Sequence, residues 1–261
     1  MELKFSKYQG TGNDFIMIDN LNGQWDELSI FQIQQLCDRK FGIGADGLIK
    51  INTSTGYDFE VDYYNADGSQ SFCGNGARCA VAFAHELGVT QAAVSFLAID
   101  GPHQALKNNG LIELKMSDVS DWNLRPDATI TLNTGSPHFI KWCTQVNNQA
   151  VIEIGKSIRY SSEFEKEGIN VNLVEIIEEN KLAIRTYERG VEDETLSCGT
   201  GVTAAAIASA IQLNKIGQTT VSLQTQGGDL TVNFNRISEN KIEDIWLIGP
   251  AKHVFTGVVT L

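Results

Sequence analysis

Apolar and polar residues alternate over 3–8 and 15–19, which predicts two strands joined by the loop Gly10-Thr11-Gly12-Asn13-Asp14. The period changes over 29–37, where Ile30, Ile33, Leu36 and Cys37 recur at helical spacing and Ser29 stands where an N-cap belongs. Strand-like runs return at 48–52 and 59–64, followed by the turn-forming Asn65-Ala66-Asp67-Gly68-Ser69. Over 76–87, the residues Ala77, Ala80, Val81, Ala82, Phe83 and Ala84 predict a small-residue helix stopped by Gly88. It is apolar nearly all round and is therefore expected to be buried. Strands are predicted again at 93–99 and 111–116.

The pattern then restarts. Strands are predicted at 129–132, 139–142, 151–154, 172–176 and 181–187, and a second small-residue helix over 201–213. Four more strands follow at 221–225, 230–234, 245–248 and 255–260. The restart reads as an internal repeat. Cys73-Gly74-Asn75-Gly76 heads the first buried helix and Cys198-Gly199-Thr200-Gly201 heads the second, 125 positions on (198 − 73). The same offset pairs Ala80 with Ala205 and brings 94–96 near 221–223. The expectation is a duplicated domain whose two copies each aim one thiol at a shared cleft, divided as 1–117 and 118–251.

Length and composition narrow the classes. A chain of 261 residues allows one large domain or two small ones, and the repeat favours two. Twenty-four Gly against 4 Pro points to special backbone positions inside an ordered fold. With 20 Lys+Arg against 32 Asp+Glu the net charge is -12, which argues against nucleic-acid or anionic-lipid partners. No apolar run has the length of a membrane span, and the N-terminal residues lack the core of a signal peptide. Five scattered cysteines without a C-x-x-C pair suit a reducing cytoplasm, not a disulfide framework or structural zinc. Gly42-Ile43-Gly44-Ala45-Asp46-Gly47 spells a dinucleotide fingerprint, but a helix precedes it and a strand follows. That order is reversed, so nucleotide binding is not expected. No metal-ligand spacing occurs either.

The paired Cys-Gly-x-Gly carries the chemistry. A cysteine just before a helix lies among unpaired N–H groups at the positive end of the dipole, which favours thiolate. The glycines let a ligand approach the backbone, and a carboxylate is the anion such a site binds. One sulfur on each side of the adjacent carbon would remove a proton from one face and deliver one to the other. Charge developing on the carboxylate would meet both helix N-termini. The two thiols then need opposite protonation states. A redox disulfide is the competing reading, though neither cysteine has a neighbouring thiol in C-x-x-C spacing. Cys37, Cys79 and Cys143 are assigned to packing.

At these residues the chain resembles the diaminopimelate epimerases. The matching motifs are Gly12-Asn13-Asp14-Phe15, Gly42 to Gly47, Tyr64 to Ser69 leading into Cys73-Gly74-Asn75-Gly76-Ala77-Arg78-Cys79, Pro137-His138, Asn170-Val171, Glu188-Arg189-Gly190-Val191, Cys198-Gly199-Thr200-Gly201 and Gly249-Pro250-Ala251. The resemblance implies an α+β fold of two pseudo-symmetric halves, each a curled, mostly antiparallel sheet around a central buried helix, with the last strand, 252–261, returning to the first half. It implies interconversion of LL- and meso-diaminopimelate for lysine and peptidoglycan precursors, without a cofactor or metal. Cys73 and Cys198 would be the acid/base thiols, and His138 and Glu188 the groups that tune their protonation. Asn13, Asn65, Gly74, Asn75, Asn170, Glu188, Arg189, Gly199 and Thr200 would bind the substrate. A homodimer is also implied.

Ser136 stands where the family has Asn, and the loops before Cys73 and Cys198 differ in length by one residue. These departures leave distal-end selectivity open. A proline- or hydroxyproline-type racemase of similar architecture is the alternative enzyme, and a silent carboxylate-binding module the alternative outside catalysis. Both cysteines are present, which disfavours the silent module.

Overall fold

The computed structural model describes all 261 residues. Met1–Leu114 with Gly249–Leu261 make one compact unit, and Lys115–Ile248 make the other.

In the first unit, β1 (Glu2–Gly10) pairs antiparallel with β2 (Asn13–Asp19). After α1 (Ile30–Cys37), β3 (Gly47–Asn52) adds to β2 in parallel, and β4 (Phe59–Asn65) pairs antiparallel with β3. The chain then enters α2 (Gly74–Glu86). It returns as β5 (Ala93–Ala98) parallel to β4, followed by β6 (Gly101–Asn108) and β7 (Leu111–Lys115), both antiparallel.

The second unit begins with β8 (Trp122–Leu124), which pairs antiparallel with β9 (Ile130–Asn133). β9 pairs antiparallel with β10 (Pro137–Trp142); after α3 (Val151–Arg159), β11 (Asn170–Glu178) is parallel to β10 and β12 (Lys181–Glu188) antiparallel to β11. The short β13 (Asp193–Thr195) leads to α4 (Gly199–Gln212). Next come β14 (Gly217–Thr225) parallel to β12, then β15 (Gly228–Ser238) and β16 (Lys241–Pro250), both antiparallel. From β1 and from β9 the pairing runs in the same series: antiparallel, parallel, antiparallel, parallel, antiparallel, antiparallel. Helices fall at the same two crossovers, so the repeat is one of topology as well as motif. The last strand, β17 (Lys252–Thr260), pairs with β1.

Each sheet curls around one helix without closing. α2 packs against β1, β2, β3, β4, β6 and β17, and α4 against β9, β10, β11, β12, β14 and β15. α4 is buried from Gly201 through Ile211, as its all-round apolar sequence requires. The other face of each sheet carries an amphipathic helix. Ile33, Leu36 and Cys37 of α1 join Ile16, Ile18 and Leu48, while α3 packs with Val171, Leu173 and Tyr187. The alternation expected over 15–19 is not found: Phe15, Ile16, Met17 and Ile18 are all apolar and buried, because a strand covered on both faces reads as a continuous apolar run. Ser29 caps α1 with a reciprocal bond from Gln32.

The strand expected at 151–154 is the start of α3. Val151 and Gly155, one helical turn apart, are its buried residues. A Cβ on Gly155 would stand 2.4 Å from the Cβ of Tyr187, so glycine sets the closeness of α3 to β12. β6, β8 and β13 are strands that the hydrophobic pattern did not predict. No helix is long and apolar enough to cross a membrane.

Candidate active site

Cys73 is the N-cap of α2. Its backbone is extended, its carbonyl accepts from Ala77 N–H at 2.7 Å, and its Sγ accepts from Gly76 N–H at 3.4 Å. The sulfur is therefore fixed beside the first-turn amides. Its S–H donates to Asn13 Oδ1 at 3.5 Å, and Asn75 Nδ2 donates to the same oxygen at 3.4 Å. Asn13 is held from behind by its own Nδ2 donating to Asp46 Oδ2 at 2.6 Å. Arg39 bridges Asp46 and Asp14, and Lys7 reaches Asp14 at 2.7 Å. Burial raises Asp14, but hydrogen bonds from Arg39 and Lys7 overcome it and hold the carboxyl at about 2. Lys7 also donates to the carbonyl of Gly44. The segment from Gly42 to Gly47 thus closes the loop that carries Asn13.

Asn65 ends β4, where its Nδ2 donates to Ser69 Oγ at 3.0 Å and Ser71 Oγ at 3.2 Å. Its amide organises the loop that delivers Cys73. Gly74 and Asn75 form the first turn of α2, with Asn75 buried.

Cys198 is the N-cap of α4, its carbonyl accepting from Val202 N–H at 2.9 Å. Its Sγ lies 3.4 Å from Thr200 Oγ1, which in turn lies 2.9 Å from His138 Nε2 and 3.0 Å from Ser136 Oγ. Gly199 is buried within the first turn. His138 is fully buried on β10, and burial followed by the Arg189 charge pushes it down to about 3, so its ring is neutral. The parallel register sets His138 opposite Asn170 and Ile140 opposite Asn172, which lines the polar side chains of β10 and β11 along the α4 face. Asn170 accepts from the backbone N–H of Arg189 at 2.9 Å and donates to Ser136 Oγ at 3.1 Å. The Arg189 side chain donates to the Glu167 carbonyl, and Glu188 accepts from the Thr195 hydroxyl at 2.8 Å.

The first unit thus brings together Asn13, Asn75 and Cys73, and the second His138, Asn170, Thr200 and Cys198. Asn65 reaches its thiol through a loop, while Glu188 and Arg189 stand at the end of β12. Sequence reasoning missed Asp46, Asn172 and Arg78. The alternation of Asn170 and Asn172 with Val171 and Leu173 is the signal that places both amides on one strand face. Burial pushes Cys37 up to about 11 and Cys79 up to about 12, and raises Cys143, so none of the three is an activated thiol.

The duplicated α+β fold recurs in solved structures. A phenazine biosynthesis protein of the PhzF family from Bacillus anthracis superposes with a TM-score of 0.76 at 14% identity, both chains covered in full. A hydroxyproline epimerase from Agrobacterium vitis superposes with a TM-score of 0.70 at 12% identity, covering 100% of this chain and 93% of that one. At these identities the likeness is one of fold.

Sequence identifies the family. The pattern described as diaminopimelate epimerase matches residues 5–120 and 130–254. A relative of that name from Flavobacterium psychrophilum is 48% identical over 260 residues, 98% of this chain and 100% of the relative. Another, from Chlorobaculum tepidum, is 40% identical over 266 residues, 97% and 99% of the two chains. The chain belongs to the diaminopimelate epimerase family.

Proposed function

We propose that the chain interconverts LL- and meso-diaminopimelate by cofactor-independent two-base proton transfer. The observation that carries this reading is the N-capping cysteine at the head of each buried helix, in a chain of this family. One thiolate takes the α-proton and becomes a thiol, while the other thiol gives its proton to the opposite face and becomes a thiolate. Between these events the electron pair rests on the α-carbon and its carboxylate. The N–H groups of Gly74, Asn75, Gly199 and Thr200 offset that charge.

Asn13, Asn65, Asn170 and Arg189 hold the ammonium and carboxylate groups, Arg189 by its bidentate fork. His138 and Glu188 bias the thiols, and Glu188 also binds the substrate. The enzyme works in the cytoplasm as a homodimer.

In D₂O and reducing buffer, LL-diaminopimelate is expected to exchange its α-proton and yield the meso isomer, while proline and hydroxyproline stay unchanged. Cys73→Ala and Cys198→Ala should each lower the rate by ~10²–10⁴ with unfolding midpoints retained. Exchange with proline alone, or full activity in either variant, would overturn the reading.

A further inference from the structure

Arg78 is one of the largest fully buried side chains in the protein. It sits on α2 five residues past Cys73, where two rules oppose it. Burying a charge is costly, and a cation near a helix N-terminus meets the positive end of the dipole. Its Nη2 donates to Asn75 Oδ1 at 3.0 Å and to Thr11 Oγ1 at 3.2 Å, whereas its buried Nε and Nη1 meet no acceptor. Burial pushes the guanidinium down from its very high ordinary value, and the ionisable groups that act against this are the Cys79 and Cys73 thiols. Of the charges near α2 on the strands packed against it, Lys7 pairs with Asp14, Lys50 with Asp62 and His103 with Asp100, while Lys107 on β6 contacts His85 at the end of α2. Tyr8 on β1 faces Cys79 and donates to Glu86 at the far end of α2.

The second unit has no arginine at the corresponding position, and its buried Arg236 donates instead to the Ala210 carbonyl near the far end of α4. At the 125-residue offset Arg78 corresponds to Thr203, whose hydroxyl donates to the Gly199 carbonyl at 3.0 Å. The buried ring beside that helix, His138, is neutral.

We propose that Arg78 is a positioning residue for the Cys73 half of the reaction, locking the Asn75 amide and supplying the buried positive charge that holds Cys73 as thiolate. Because Arg78 occupies Asn75 Oδ1, the Asn75 NH₂ must face Asn13 Oδ1, which leaves that oxygen placed to accept a proton on Cys73. Both protonation states of the sulfur then have a partner, as a group that cycles requires. A full charge in low dielectric outweighs one weak S–H···O contact, so Cys73 rests as the base and Cys198 as the acid. This assignment of roles rests on the two-thiol reading above.

The test is site-resolved alkylation by iodoacetamide against pH, each thiol followed by peptide mass, beside the epimerisation rate. In the wild-type protein Cys73 should react with a lower midpoint than Cys198. Arg78→Met should raise the Cys73 midpoint by about one unit or more, a tenfold loss of thiolate, and leave that of Cys198 in place. Arg78→Lys, which keeps charge without the fork, should restore most of the midpoint and less of kcat. An unchanged Cys73 midpoint in folded Arg78→Met, or in Arg78→Gln should the Met variant not fold, would overturn the proposal. A wild-type Cys198 midpoint below that of Cys73 would do the same. Alkylation needs no substrate, so a wild-type protein inert toward diaminopimelate would sink the functional reading while leaving the effect of Arg78 on Cys73 measurable.

Discussion

Asn172 donates its side-chain amide to Nδ1 of His138 at 3.1 Å, and that bond leaves the imidazole proton on Nε2. The amide is fixed in turn, because its Oδ1 accepts from the Thr186 hydroxyl at 2.9 Å. His138 therefore presents an N–H donor to Thr200 Oγ1, the group next to Cys198. Asn172→Asp would offer an acceptor to Nδ1, move the proton there and favour the charged ring. Epimerisation should fall by roughly tenfold to a hundredfold, as removal of a supporting partner does elsewhere. ¹⁵N NMR of the histidines should report the tautomer change; wild-type spectra with the proton on Nδ1 would contradict it.

Acid should destabilise the fold in two windows. His138 falls from 6.5 to about 3 through burial, then Arg189. The unfolded chain takes up that proton near 6.5 and the folded one only near 3, so stability is lost as pH falls between them. Asp14, held at about 2 against an ordinary 3.8, acts with the same sign lower down: its contribution is present above 3.8 and lost as pH falls towards 2. Urea midpoints should decline between pH 7 and 4, and His138→Gln should flatten the decline. An equally steep decline in that variant would show that other groups carry it.

The sequence made the repeat, both central helices and their capping cysteines legible because these depend on local signals: glycine, small residues and period. It misled at Val151-Ile152-Glu153-Ile154, whose β-branched run suits a strand. Tertiary packing decides there, since the Val151–Gly155 stripe is what fits against Tyr187. Lys7 and Arg78 were hidden for a different reason. Periodicity assigns a charge to the solvent face, and only partners brought in by the fold, Asp14 and the Gly44 carbonyl for one and Thr11 beside Asn75 for the other, account for burial. Asn13 was visible as a loop residue, but Asp46 joins it from 33 positions away.

Two buried glycines separate stability from chemistry. A Cβ at Gly155 would stand 2.4 Å from Tyr187 Cβ and Cγ, on the sheet face away from α4. That clash exceeds the ~1 kcal/mol which Ala brings to a helix interior, so Gly155→Ala should destabilise the fold by about 1–3 kcal/mol. Its kcat per folded molecule should remain that of the wild type. A Cβ at Gly201 would instead stand 2.5 Å from Asn172 Oδ1 and 3.3 Å from His138 Cε1. Relief requires the amide or the ring to move, which breaks the order that reaches Cys198 through Thr200. Gly201→Ala should therefore lose stability of similar size and also lower kcat by about tenfold or more, since such positions tolerate little displacement. Calorimetric midpoints beside kcat at low temperature, where both variants remain folded, make the comparison. Equal kcat losses in the two variants would mean that the His138–Asn172 pair has no part in the reaction beyond holding the fold.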